Sequence, residues 1–179
     1  MATEPTTSRL RVLLGEIMDL KNVAALLEWD QQCCLPPAAA QGRAEQLGTL
    51  QRLLHERVTS DELGRELDRL AERARGLDPD ADEVRLAAVS RRARDRLARV
   101  PGDLVAEIAR ATGVAFGEWA TARAQSDFAR FRPHLERIVD LKRRLAGCFA
   151  PYDHVYDPLL DEYEPGMKTA ELRGIFARL

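Results

Sequence analysis

The sequence predicts an all-α fold: an array of about six or seven helices joined by short loops, with no substantial sheet. Three observations predict it. Leucine and alanine recur at helical spacing along most of the 179 residues. Aromatic residues make up only 6%, so the core is built from Leu, Ala and Val, which suit helix-on-helix packing better than a sheet sandwich. The breaks between apolar stripes carry helix start and stop chemistry, with Ser, Thr and Asp before a stripe and Gly or Pro after it.

The first stripe is Leu10, Leu13, Leu14, Ile17, Leu20, Ala24 and Leu27, one face of a long first helix. Asp30 to Pro37 interrupts it, because Pro36 and Pro37 cannot continue a helix. Leu47, Leu50, Leu54 and Val58 make the second helix. Thr59-Ser60-Asp61-Glu62 reads as a capping box, with a hydroxyl on one orphan backbone N–H and Glu62 reaching back to another. It opens a third helix through Leu63, Leu67, Leu70 and Ala74, which Gly76 stops. Asp80-Ala81-Asp82-Glu83 caps a fourth, carrying Val84, Ala87, Ala88 and Leu97.

Pro101 ends the fourth helix and suits the first turn of a fifth, with Leu104, Ile108, Ala115, Trp119 and Ala122 on its apolar face. Gly113 and Gly117 lie inside this helix at about 1 kcal/mol each relative to Ala, a loss that a closely approaching neighbour offsets. Pro133 opens a sixth helix with Leu135, Ile138, Val139, Leu145 and Phe149 facing inward, and Pro151 ends it. Residues 152–167, with a turn at Pro165-Gly166, form a structured acidic loop. Thr169 caps a last helix bearing Leu172, Ile175, Phe176 and Leu179. Those four stand at i, i+3, i+4 and i+7, and the stripe is still at full strength at Leu179. A helix this short needs a partner surface, so the pattern reads as a cut chain and as a candidate surface for homo-oligomer formation. No repeat and no Pro-, Gly- or Ser-rich linker divides residues 1–179, which therefore read as one helical domain.

Charge and cysteine content narrow the function. The net charge of −2 pulls the chain toward neither nucleic acid nor an anionic membrane. Arg85, Arg91, Arg92, Arg94, Arg96 and Arg99 circle their helix instead of lining one face, and no aromatics interleave for base stacking, so they read as a solvated face. Cys33, Cys34 and Cys148 are odd in number and make no disulfide framework; neighbouring Cys33 and Cys34 read as buried packing thiols in a reducing compartment. Met1 to Ser8 lacks the apolar core of a leader, and no apolar run reaches bilayer length, so the expected location is cytoplasmic. Asp153, Asp157, Asp161, Glu162 and Glu164 offer oxygen ligands, but their spacing matches no calcium loop, and capping, Arg pairing and solvation are the expectation. Trp29 and Trp119 each sit on an apolar face and read as core.

Two stretches carry more specific information. One runs from Trp29-Asp30-Gln31-Gln32-Cys33-Cys34-Leu35-Pro36-Pro37 through Arg43-Ala44-Glu45-Gln46-Leu47 to His55. The other is Tyr156-Asp157-Pro158-Leu159-Leu160-Asp161-Glu162-Tyr163-Glu164-Pro165-Gly166-Met167. Trp119, Arg123, Asp127-Phe128, Phe131 and Pro133 stand in order between them. Together these resemble the N-terminal part of carboxypeptidase Taq-like metallocarboxypeptidases. Cys33 replaces that family's usual Thr and Leu35 its usual Met.

The resemblance implies a mostly helical enzyme that removes single residues from peptide C-termini. Its zinc or cobalt is held by the two histidines of an HExxH helix and a downstream Glu. His residues at i and i+4 share one helix face, and the Glu between them can take a proton from the metal-bound water. That motif is absent here: His55-Glu56 begins like it, but Thr59 stands where the second His belongs, and His134 and His154 are far away in sequence. The chain alone is therefore expected to hold no metal or cofactor and to be inactive, with peptide as substrate only where the catalytic half is present. Tyr163, Glu164, Trp29 and Asp30 are the candidates for lining the substrate groove. For Tyr163 and Glu164 the alternative is a structural turn that docks the last helix. A stand-alone helical module that has lost catalysis is the rival to the enzyme-segment reading.

Overall fold

A computed structural model describes residues 5–179, with side chains from Arg9 onward. The leader reading at Met1 to Ser8 rests on side chains outside that description. The described residues form eight α-helices and no strand, and 78% helix is far above the usual third. In order these are α1 (Pro5–Cys33), α2 (Ala40–Thr59), α3 (Asp61–Arg73), α4 (Asp82–Ala98), α5 (Gly102–Gln125), α6 (Phe128–Gly147), α7 (Asp157–Leu160) and α8 (Thr169–Phe176). A 3-10 turn, Pro37–Ala39, precedes α2. The chain packs as two compact units, one running through Gly117 and the other spanning Glu118–Leu179. The division falls inside α5, a continuous helix without a breaker, which is why no linker marks it in a sequence read as one domain.

In the first unit the leucine stripes meet. Leu10, Leu13 and Ile17 of α1, Leu54 and Val58 of α2, and Leu63, Leu67 and Leu70 of α3 form one buried cluster. Ala87 and Leu97 of α4 pack on it, half-buried. Each fully buried Leu is worth about 1.5–3 kcal/mol of transfer free energy before ordering costs. The cap between α2 and α3 sits one residue later than the sequence suggests. Ser60 Oγ accepts from Leu63 N–H (3.3 Å), while the Thr59 hydroxyl donates back to the His55 carbonyl (2.8 Å). With the box out of register, Glu62 accepts instead from Arg9 (2.7 Å). Gly76 has φ +79°, the left-handed conformation that glycine adopts without a Cβ penalty after a helix.

Gly113 marks a close approach of α5 to α2. A Cβ there would lie 3.1 Å from the Ala44 Cβ of α2, whereas nothing lies within 4 Å of a Cβ at Gly117. The expected close approach thus explains one of the two helical glycines.

In the second unit α6 begins earlier than Pro133. Asp127 accepts from Arg130 N–H (3.2 Å) as a side-chain cap, and Pro133 lies inside the helix. The α6 face is accordingly rotated from the expected one: Leu141 and Ala146 are buried, while Leu135 and Val139 are exposed. Residues 152–167 hold a four-residue helix, α7, followed by a turn at Gly166 with φ +86°.

Candidate functional site

The late acidic segment is built around one carboxylate. Asp157 is buried at the start of α7, where one oxygen accepts from both Thr169 N–H (2.8 Å) and the Thr169 hydroxyl (2.6 Å). Its other oxygen accepts from His154 N–H (3.2 Å) and faces Lys168 Nζ at 3.7 Å. The hydrogen bonds from Thr169, more than the Lys168 charge, hold the Asp157 carboxyl below the usual carboxylate range. Lys168 is raised, chiefly by its partner Asp153 at 3.1 Å. Asp161 accepts from Gly166 N–H (2.9 Å) and closes the turn. These acids therefore pair with Lys168 and with backbone N–H groups, and they staple the loop to α8.

This corrects the reading of Thr169 as a helix cap. Its side chain belongs to Asp157, and Glu171 takes the Lys168 N–H (3.0 Å) at the helix start. Tyr163 and Glu164 are left on the outside of the stapled turn, Tyr163 at 80% exposure. The loop does dock the last helix, and its two groove candidates face solvent.

Trp29 and Asp30 lie at the end of α1. Trp29 is 57% exposed, contrary to the expected core position. Asp30 is held by Arg43 of α2, whose guanidinium donates to the Asp30 carboxylate (2.7 Å) and to the Leu27 carbonyl (2.6 Å). Gln31 donates to the Gly113 carbonyl (2.7 Å), tying α1 to α5. Side chains flanking Trp29 thus serve to fix the helix end, and the indole is what they present. Cys33 and Cys34 are exposed there as free thiols, not buried as expected.

A second aromatic presentation occurs where α5 gives way to α6. Ser126 turns the chain with φ +53°. Trp119, Ala122, Arg123, Asp127, Phe128 and Phe131 line an open cleft of about 470 Å³. Arg123 lies over the Trp119 ring, 5.3 Å from its centroid. Trp119 is 38% exposed, so it too is a surface ring and not the core residue its stripe suggests. Beside the cleft Arg130 and Glu118 form an ion pair at 2.7 Å, which lowers the Glu118 carboxyl and raises the Arg130 guanidinium. In the sequence, Trp119, Arg123, Asp127, Phe128 and Phe131 stand out only as the ordered residues between the two motif stretches.

The association candidates split. Leu172 is half-buried, while Ile175, Phe176 and Leu179 are exposed. Leu179 lies beyond the end of α8, since the helix closes at Phe176.

The histidines do not fit a catalytic metal. His55 points its Nε2 at the Val100 (2.6 Å) and Leu97 (3.1 Å) carbonyls, which can only accept, so that nitrogen carries the proton and closes the end of α4. His154 Nδ1 accepts from Tyr156 N–H (3.1 Å). Among the described residues no group of three His, Cys, Asp or Glu is arranged to hold a metal ion. Of the six arginines around α4, Arg91 pairs with Asp68 and Arg94 reaches the Thr59 carbonyl (3.5 Å), both within the fold. No described helix is long and apolar enough to cross a membrane.

The model of one family, carboxypeptidase Taq (M32) metallopeptidase, matches residues 9–179. The chain is 34% identical over 188 residues to thermostable carboxypeptidase 1 of Thermus thermophilus, covering all of this chain and 37% of that protein. It is 29% identical over 167 residues to carboxypeptidase 1 of Bacillus subtilis, covering 93% of this chain and 33% of that one. The crystal structure of BsuCP superposes with a TM-score of 0.91 at 27% identity, over 98% of this chain and 35% of that structure. An M32 carboxypeptidase from Deinococcus radiodurans gives 0.74 at 31% identity, over 98% and 35%. The chain therefore spans about a third of the length of the relatives it matches, and corresponds to their N-terminal region.

Proposed function

The chain belongs to the carboxypeptidase Taq (M32) metallopeptidase family, and from that premise we propose that it is the N-terminal helical segment of a metal-dependent carboxypeptidase. In this reading residues 1–179 supply part of the groove or cap around a peptide whose C-terminal amino acids are removed. The observation that carries it is the match over residues 9–179 to only about a third of the relatives' length. The described residues do not fit a catalytic zinc or cobalt, so no step of the reaction is derived through the metal. What this segment contributes is positioning: Asp30–Arg43 and Asp157–Thr169 rigidify two helix ends, and Trp29, Tyr163 and Glu164 stand on them facing outward. Exposed free thiols at Cys33 and Cys34 favour a reducing, cytoplasmic setting.

Two measurements test this. The purified chain, supplied with zinc or cobalt ions, releases no C-terminal amino acids from peptides; metal-dependent release that scales with protein and survives repurification overturns the proposed inactivity. Exchanged for the matching third of the Thermus thermophilus enzyme, the segment supports carboxypeptidase activity that its deletion abolishes. A folded chimera without activity overturns the groove or cap role.

A further inference from the structure

Cys33 and Cys34 put two exposed free thiols on adjacent residues. Cys33 closes α1 and Cys34 begins the turn after it. The backbone there is fixed, because the N–H groups of Cys34 and Leu35 both donate to the Asp30 carbonyl (2.9 and 3.0 Å). Trp29, also exposed, stands four residues before Cys33 and so shares its face of α1. The usual uses of a cysteine pair do not suit this one. The peptide bond between the two is trans, which sets their Cα atoms about 3.8 Å apart. Ordinary disulfides begin at roughly 4.4 Å. A structural zinc takes four ligands, and among the described residues no third Cys, His, Asp or Glu joins the two thiols.

We infer that Cys33 and Cys34 form a dithiol site for a monosubstituted trivalent arsenical, R–As(OH)2, whose organic group R is apolar. Two sulfurs and no third protein ligand suit a thiophilic centre that brings its third substituent with it. An arsenic atom between the sulfurs makes a longer bridge than a direct S–S bond, which relieves the short Cα separation. The organic group meets the Trp29 indole one turn back along α1. The condensation balances without an oxidant. Each S–H bond breaks, each arsenic hydroxyl leaves with that proton as water, two S–As bonds replace two As–O bonds, and arsenic stays trivalent. Once the first sulfur is bound, the second bond forms within the molecule, so the pair holds arsenic far more tightly than either thiol alone. Cys33 stands where the family's usual residue is Thr, so the site is no part of the carboxypeptidase reading and needs no catalytic metal.

The probe is phenylarsine oxide, which takes this form in water, added to the reduced 179-residue chain. Intact mass should show one phenylarsenic adduct per chain, with two water molecules lost from the hydrated probe. Excess glutathione, a monothiol, should leave the adduct in place, and dimercaptopropanol, a competing dithiol, should remove it. Cys33→Ser and Cys34→Ser, both at exposed positions, should keep the helix content and each weaken binding at least about a hundredfold, the scale of a lost intramolecular second bond. Cys148→Ser should bind like the parent chain. A smaller loss in either of the first two variants, a loss in Cys148→Ser, or release by glutathione overturns the dithiol site. Trp29→Ala should weaken phenylarsine oxide and leave methylarsonous acid, whose organic group is a single methyl, unchanged. Equal effects on the two probes overturn the apolar contact with Trp29.

Discussion

The two compact units are held together by different means. The unit through Gly117 buries Leu10, Leu13, Ile17, Leu54, Val58, Leu63, Leu67 and Leu70 in a single cluster. The unit spanning Glu118–Leu179 buries few large apolar side chains, Leu141 and Leu160 among them, and buries Asp157 and Thr169 as well. It leaves Phe128, Leu135, Val139, Tyr163 and Phe176 exposed. The first unit follows the hydrophobic pattern and the second departs from it, holding its loop by hydrogen bonds to one carboxylate. An apolar core ties down every element it touches, whereas a polar staple fixes a few atoms and leaves nearby rings free to meet something else. Tyr163, proposed to line the groove, stands outside such a staple.

The largest effect that could break this contrast is in the first cluster. Leu67 is 1% exposed, and Leu67→Ala should cost about 2–5 kcal/mol, the sum of lost transfer energy and the cavity left behind. Phe128→Ala, a larger truncation at a ring that is 63% exposed, should change stability by no more than about 0.5 kcal/mol. Denaturant unfolding followed by helical circular dichroism measures both. Comparable losses would mean that the second unit has a core its exposures do not reveal.

The staple responds to a different perturbation. The folded Asp157 carboxyl lies below its ordinary value, so the unfolded chain binds that proton more readily. The stabilisation is complete above the ordinary carboxylate value of about 3.9 and is lost as pH falls through the lowered folded value. Backbone resonances of Thr169–Phe176 should therefore hold steady from neutral pH into the ordinary carboxylate range and move toward disorder only below it. In Asp157→Asn the same residues should be frayed already at neutral pH and show no such acid step. A variant whose α8 resonances match the parent chain would assign the docking to Leu172 and not to the carboxylate.

The contrast also explains what the sequence revealed. Periodicity located the first three helices and their buried leucines, because Leu at i, i+3 and i+4 has one physical outcome when a core is available. It misplaced the α6 face and the status of Trp29 and Trp119, because apolar spacing marks a face without saying whether anything covers it. The cap at Asp127 was hidden behind Pro133, a stronger but misleading start signal. The late Tyr-Asp to Gly-Met stretch was recognisable as a motif. That its Asp157 is the staple, with Tyr163 and Glu164 outside, depends on a bond to Thr169 twelve residues away that no local pattern encodes.

The smallest effect tests how far the close packing of the first unit runs along α5. Gly113 and Gly117 are one helical turn apart, so Ala should gain the same intrinsic helix propensity at both, about 1 kcal/mol. At Gly117 the added methyl meets nothing within 4 Å, and Gly117→Ala should raise stability by close to that amount. At Gly113 the methyl would stand 3.1 Å from Ala44 Cβ and 3.3 Å from Ala44 Cα, atoms of a short side chain and a backbone that cannot swing aside. The two helices must separate there, which also strains the 2.7 Å bond from Gln31 to the Gly113 carbonyl. Gly113→Ala should consequently gain nothing or lose stability, by up to the 1–3 kcal/mol typical of overpacking. Because propensity cancels between the two, the difference in their unfolding midpoints isolates the α2–α5 contact. A stabilisation of equal size at both sites would show that this contact gives way without loss, and that close packing in the first unit ends before Gly113.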